Sequence, residues 1–483
     1  MQLQWNKKPC QFLQAQVQQL QFVEQTLEVR LSEELPDIGR VVSAWGQPVI
    51  RSKEWRNDGM NVSGGVNASV LYMPEDGTSP QCVEAWIPVQ VKWNFPNTQH
   101  EGNIRVQCSL RGIEARTISA RKMVLRADLW VYGEALNESE VMITSPDEVP
   151  EGVELLQNIY PVVLPKEMGE KEFVLEEELR VSNAGKWISR TLIPEITEKT
   201  VVGNRFVIRG NVILHYVYLD EQGALHSADH QIPFAQFADL EQEYDKEATV
   251  DVMFCFSALD AEASEEGIRV QCTLMAQYVV WNRMLLEVVE DAYSCRNHLT
   301  AIDELIQLPV ELDNRTQIKD ITCYVPGKRI LDMVFMPDYP VAFEQNDMTY
   351  VNMSGVFQYL YVDEEENIQS GTEKWSEDMS FSVGEGAQLR VTVEPYEVRG
   401  MNVKVSINLQ TRAKQNLNII SAISVGESKK HDPLVPNLIL RRMGTTTLWE
   451  LAKATGSTMS AIRDANHLTE DPEEGRILLI PVI

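Results

Sequence analysis

The chain has 483 residues, 44% hydrophobic and 24% charged, which is globular composition with apolar material for about three domains. Its 43 Lys and Arg stand against 71 Asp and Glu, a net charge of −28 that repels phosphate backbones and anionic headgroups and so excludes nucleic-acid binding and charge-driven membrane binding. No run approaches about 20 uninterrupted apolar residues, so no membrane insertion is expected.

The first 25 residues are Gln-rich with weak periodicity, compatible with a helix or an edge strand. They carry no apolar core and no small-residue cleavage site, so no signal peptide is expected and the reading is cytoplasmic. The seven cysteines (Cys10, Cys82, Cys108, Cys255, Cys272, Cys295 and Cys323) are widely spaced and form no C-x-x-C, which points to reduced thiols in cores.

Period-2 alternation dominates from residue 60 onward. Met60, Val62, Gly64, Val66, Ala68, Val70 and Tyr72 form one apolar face of a strand that ends at the turn Pro74, Glu75, Asp76 and Gly77. Val83, Ala85 and Ile87 begin the next strand. The same face recurs as Ile208, Gly210, Val212, Leu214, Tyr216 and Tyr218. It recurs again as Val351, Met353, Gly355, Phe357, Tyr359 and Tyr361. The tyrosines set the offsets: 218 − 72 = 146 and 361 − 218 = 143. The pentapeptide IRVQC at 104–108 and 268–272 conflicts with this register and is read as two different strands with similar faces. The fold class is therefore mainly β, with three tandem antiparallel modules at 1–148, 149–300 and 301–428. Junctions are expected at 145–151 and in a looser stretch near 301–313.

Composition shifts at 426–437, a Gly, Ser, Asp and Pro linker. Residues 429–483 then read β-α-α-β. A strand covers 437–443, Thr446 or Thr447 caps a helix stopped by Gly456, Ser457 or Thr458 caps a second helix, and a strand closes the unit at 476–481. This unit holds seven basic and seven acidic residues, so the first 428 residues carry the whole −28.

No hydrolase, zincin, phosphate-loop or dinucleotide motif occurs, so no catalytic residue, cofactor or metal is expected. The best metal candidate is His226 and His230 with Asp229, but such a pair shares a metal only on a helix, and this stretch follows a β-turn. The carboxylate runs Glu176 to Glu178 and Asp363 to Glu366 lack the alternation of a calcium loop and read as solvated surface.

The C-terminal unit resembles a LysM domain through Gly444, Leu448, Trp449, Leu451, Ala452, Gly456, Ile462, Asn466, Leu468, Gly475, Leu478, Ile480 and Pro481. The resemblance implies a partner- or glycan-binding groove at Thr445, Thr446, Thr447, Trp449, Asn466, His467, Leu468 and Thr469, with Arg441 and Arg442 beside it. Both groove loops depart from the family, the first by an extra Thr without the usual Asp, the second by Pro472. Basic Lys429, Lys430, Arg441 and Arg442 facing the acidic loop 470–474 favour a charged protein partner over a neutral N-acetylglucosamine chain. Trp449 reads as core more readily than as a sugar platform.

The β modules resemble the SPOCS domain of endospore-forming bacteria, most strongly in LPDIGRVVSAWGQPVI at 35–50 and the strand ending at Tyr72. SPOCS modules followed by LysM resemble SipL-type spore-coat morphogenetic proteins. That resemblance implies a non-enzymatic scaffold of the mother-cell cytoplasm at the forespore surface. Its implied partners are the polymerising sporulation ATPase of the coat basement layer and other coat proteins. The alternative is an envelope protein that binds peptidoglycan.

Overall fold

The computed structural model describes the chain except residues 1–4, 57–58, 97, 99–103, 147–148, 150–151, 182–183, 265–266, 346–347, 382–387, 394–396, 400 and 430–435. Module one runs β1 (Trp5–Arg30), β2 (Ile38–Arg56), β3 (Gly59–Pro74), β4 (Gln81–Asn94), β5 (Ile104–Ser119) and β6 (Lys122–Pro146). These make two antiparallel sheets, β2-β3-β4 and β1-β6-β5. The alternation from Met60 to Tyr72 puts one side of β3 against Val106, Met123, Leu125 and Leu129 of the other sheet, and the two layers close over one core.

Module two repeats this with β7 (Val153–Arg180), β8 (Ala184–Asp220), β9 (Leu225–Tyr244), β10 (Thr249–Ser264) and β11 (Gly267–Ser294). Its sheets are β10-β11-β7 and β8-β9. The long β8 passes through left-handed Gly203 (φ 63°) and holds both the second- and third-position strands. A Cβ on Gly210 would meet the Glu195 carbonyl, as one on Gly64 would meet that of Val49, 146 residues earlier.

Module three comprises β12 (Asn297–Thr322), β13 (Arg329–Pro337), β14 (Val341–Gln345), β15 (Met348–Val362), β16 (Ile368–Phe381), β17 (Gln388–Val393), β18 (Glu397–Arg399) and β19 (Asn402–Ser428). Here the second-position strand is broken at Asp338, Tyr339 and Pro340 into β13 and β14, which both pair with β15. The first, last and fifth positions again share a sheet, β12-β19-β17.

The tyrosine register holds in three dimensions. Tyr72, Tyr218 and Tyr361 sit near the ends of third-position strands and pair with Gln81, His226 and Gln369 of the fourth. Each packs on its own module's core. The following turns match as well: the left-handed residue is Gly77 (φ 73°), Gly223 (φ 81°) and Glu366 (φ 63°). IRVQC lies in β5 and in β11, the fifth and sixth positions, so the pentapeptide marks no repeat.

The Gln-rich start is strand β1, at the edge of its sheet. A bulge between Ala15 and Val17 moves the inward residues from even positions (Cys10, Phe12) to odd ones (Val17), which is why the periodicity looked weak. The junction expected near 301–313 lies inside β12. The chain reverses earlier, at Cys295 and Arg296, between β11 and β12.

The C-terminal unit is β20 (Leu438–Arg442), α1 (Leu448–Thr455), α2 (Met459–Asn466) and β21 (Ile477–Pro481), with β20 antiparallel to β21. Thr447 caps α1 in a capping box with Glu450, left-handed Gly456 ends it, and Thr458 caps α2. No helix among the described residues is long and apolar enough to cross a membrane.

Two substitutions test the register. Glu366→Gly removes a left-handed non-glycine residue and should raise the stability of module three by about 0.5–1 kcal/mol in chemical denaturation. Gly210→Val drives a side chain into the Glu195 carbonyl and should destabilise by about 1–3 kcal/mol. An unchanged midpoint for Gly210→Val would mean that the backbones do not approach there.

Candidate functional site

The C-terminal unit is anchored to module two. Trp449 Nε1 donates to Asp291 Oδ2 at 2.7 Å, and Lys453 Nζ reaches both oxygens of the same carboxylate at 2.7 Å. Burial would raise the Asp291 pKa, but Lys453 and the Trp449 hydrogen bond hold it below the usual value. Tyr293 meets the Trp449 ring edge-on at 4.7 Å, and its hydroxyl donates to the Ser457 carbonyl. Cys295 Sγ donates to the same carbonyl at 3.1 Å. Trp449 is 5% exposed, so its ring is part of a core shared by the unit and β11.

The other groove residues divide by role. Thr445, Thr446 and Thr447 are exposed in the loop before α1, and the Thr447 hydroxyl also accepts from Glu450 N. Asn466 turns inward, bonding the Ile462 carbonyl and both backbone groups of Leu479, so it ties α2 to β21. His467 ends α2 in the left-handed region (φ 51°) and is exposed, as is Thr469, while Leu468 packs on the unit's core.

Arg441 and Arg442 are neighbours on β20 and so point to opposite faces. Arg442 Nε donates to the Gly475 carbonyl. Lys429 Nζ donates to the Ser294 carbonyl and its backbone N–H to that of Arg296, and Lys430 lies outside the described residues. On the outer face of the β20–β21 ribbon, Leu438, Leu440 (72% exposed) and Ile477 are open to solvent.

A second constellation was not visible in the sequence: charged and amide side chains buried where all three modules meet. Arg105 of β5, 1% exposed, donates to Glu134 Oε1 (2.6 Å) and Asp251 Oδ2 (2.9 Å). Arg390 Nη1 reaches Asp251 Oδ2 at 3.0 Å and Glu134 Oε2 at 3.4 Å. Burial would raise the Glu134 pKa, but Arg105, Arg390 and Arg412 bring it down to about 2. The same guanidiniums hold Asp251 far below the carboxylate range. Burial and the Arg390 charge lower Arg412 to about 10.

Glutamine amides extend the joint. Gln277 of module two bonds both the N–H and the C=O of Val106 on the edge strand β5, at 2.8 and 2.7 Å, in the place of a further strand. Gln47 accepts from Leu192 N at 2.8 Å, and Gln358 donates to the Ala44 carbonyl at 2.6 Å. Asp332 of module three accepts from Trp45 Nε1 (2.9 Å) and lies 2.7 Å from His215 Nε2. His215 Nδ1 lies 2.6 Å from Asp229, so both ring nitrogens face carboxylates. Burial would depress its pKa, but Asp332 and Asp229 raise it to about 10. The visible trace in sequence is a lone Gln inside an apolar run, as in Met275, Ala276, Gln277, Tyr278 and Val279.

His226 and His230 lie on β9, about 13 Å apart at strand rise. They contact separate carboxylates, Asp220 and Glu177. Among the described residues no group of three or more His, Cys, Asp and Glu side chains is placed to hold a metal ion.

Residues 37–118 and 186–263 match the family model described as SipL, SPOCS domain. The two segments cover β2 to β5 of module one and β8 to β10 of module two, the same positions of the repeat. Module three, outside the match, has the same strand order. No curated protein and no solved structure matches the chain.

The buried imidazole gives a pH dependence of known sign. With a folded pKa of about 10, above the 6.5 of a free His, its contribution is complete below pH 6.5 and is lost as pH rises toward 10. Denaturation midpoints of the native chain should therefore fall across that window more steeply than those of His215→Gln. Parallel curves would mean that His215 is neutral in the fold.

Proposed function

We propose that the chain is a non-enzymatic scaffold of endospore coat assembly, acting in the mother-cell cytoplasm at the forespore surface. The observation that carries this reading is the SPOCS-domain match in two consecutive modules. On this reading the three fused modules form a rigid acidic body, and the C-terminal β-α-α-β unit, LysM-like in our view, docks a protein partner, the polymerising ATPase of the coat basement layer.

Supporting a protein partner is the outer face of the β20–β21 ribbon, where exposed Leu438, Leu440 and Ile477 adjoin Arg442. Apolar anchors flanked by arginine are a common make-up of protein interfaces. The glycan alternative has less support, since Trp449 is buried against Tyr293 and Asn466 is spent on backbone.

Titration of the full chain with the basement ATPase, and separately with chitin oligomers, tests this. We expect ATPase binding that Leu440→Asp weakens at least about tenfold. Oligomer binding without ATPase binding would reverse the assignment.

A further inference from the structure

A cavity of about 490 Å³ lies where the three modules meet. Apolar side chains from all three line it: Leu110 and Trp130 of module one, Leu192, Ile196 and Phe254 of module two, and Val334 of module three. Its volume and its place between domains are those of a ligand site. The charged lining side chains are Asp251, neutralised by Arg105 and Arg390, and Glu195, Glu198 and Lys199 of one stretch of β8. Glu198 and Lys199 are exposed, and Glu198 pairs with Arg209. The interior therefore offers an ionic ligand no free opposite charge, and a neutral one fits it better.

The strand edges around the cavity say what kind of neutral ligand. Gln107, Cys108, Ser109 and Leu110 all line it. Side chains of consecutive strand residues alternate between faces, so a cavity that touches all four runs along the edge of β5. On its other edge β5 pairs with β6, and among the described residues no strand pairs with it on the cavity side. Val106 turns its N–H and C=O to that open edge, where the Gln277 carboxamide takes both. The register is unbroken from Ile104 to Leu110. The residue two further on presents its backbone the same way, so the N–H and C=O of Cys108 face the cavity about 6.8 Å beyond Val106.

Amides already sit on such edges here. Gln277 Nε2 lies 3.6 Å from the sulfur of Cys255, a lining residue, so that cap stands at the end of the cavity. Gln47 and Gln358, in the wall itself, meet the Leu192 N–H and the Ala44 carbonyl. At Cys108 the edge continues and cavity takes the place of a cap.

We propose that this cavity binds a short extended peptide segment, neutral and apolar, which pairs with Cys108 as a further strand beside β5. The peptide N–H would donate to the Cys108 carbonyl and the peptide C=O would accept from the Cys108 N–H. Its side chains would rest on Leu110, Ile196 and Phe254. Main-chain pairing supplies the hydrogen bonds and the apolar walls select the side chains, as in other strand-addition sites.

Acetyl-leucyl-leucine methylamide tests the site on the full chain by calorimetric titration and thermal unfolding. It is compared with two analogues in which one or the other leucine N–H is replaced by an ester oxygen. The peptide should bind saturably at one site and raise the unfolding temperature. The analogue that lacks the paired N–H should bind about tenfold more weakly through one lost hydrogen bond. Cys108→Pro removes the edge N–H and leaves the ladder to β6, a change that edge strands tolerate, and should weaken the peptide by a similar factor. If that variant fails to fold, Ile196→Trp decides: it enlarges a half-buried wall residue into the cavity and should abolish binding. No binding of the peptide at millimolar concentration, equal affinity for the peptide and both ester analogues, full affinity in a folded Cys108→Pro variant, or full affinity in Ile196→Trp would each overturn the assignment.

Discussion

Arg105 sets the constraint on which the rest of the molecule depends. Its guanidinium is almost wholly removed from water and is neutralised by one acid from its own module and one from the next. Without Asp251 the Arg105 guanidinium would keep Glu134 and lose one of its two acids, so Asp251 ties module two to the core of module one. Asp251 in turn leans on Arg390 of module three. The network draws on all three modules, and moving any one of them away removes ion pairs from it. The glutamine amides act alike: Gln277 covers the edge of β5, whose Val106 backbone groups would otherwise be stranded when water is excluded.

Apolar packing follows the same threefold sharing. Val42, Trp45 and Leu71 join Val217 and Leu219 and then Leu331 and Leu360 in one cluster. At the far end Phe12 and Ile143 meet Val162 and Leu164 and then Leu308 and Leu417. Tandem domains ordinarily move against one another across modest polar interfaces. Here cores, ion pairs and amide bonds all cross the module boundaries, which gives the C-terminal unit a stiff mount. Asp291 fixes α1 to that mount and leaves the outer face of the β20–β21 ribbon turned to solvent.

The repeat was legible because each third-position strand has one buried face and a turn that needs a left-handed residue. Both leave traces at fixed spacing even where Glu366 replaces glycine. The junction near 301–313 was misread because β12 is an edge strand: its Asp303, Glu304 and Asp313 face solvent, and Pro309 is tolerated there, so its composition imitates a linker. The joint between modules was not legible at all. His215 meets Asp332 from 117 residues away, and a motif search finds only the nearby pair His226 and His230. Glutamine occurs both on exposed β1 and in the buried joint, so residue type alone did not separate surface from staple. Trp449 was read as core, but its partner Tyr293, on another module, could not be inferred from helix periodicity.

Native-state hydrogen exchange on the full chain is the most direct test of the claim that the three modules are one cooperative body. The amides of Val106 and Leu192 are bonded by Gln277 and Gln47 side chains from neighbouring modules. If the modules open only together, both amides exchange with the same free energy as core amides such as those of Val66 and Leu274. Exchange of Val106 and Leu192 at distinctly lower free energy, while those cores stay protected, would show modules that separate before they unfold and would contradict the account.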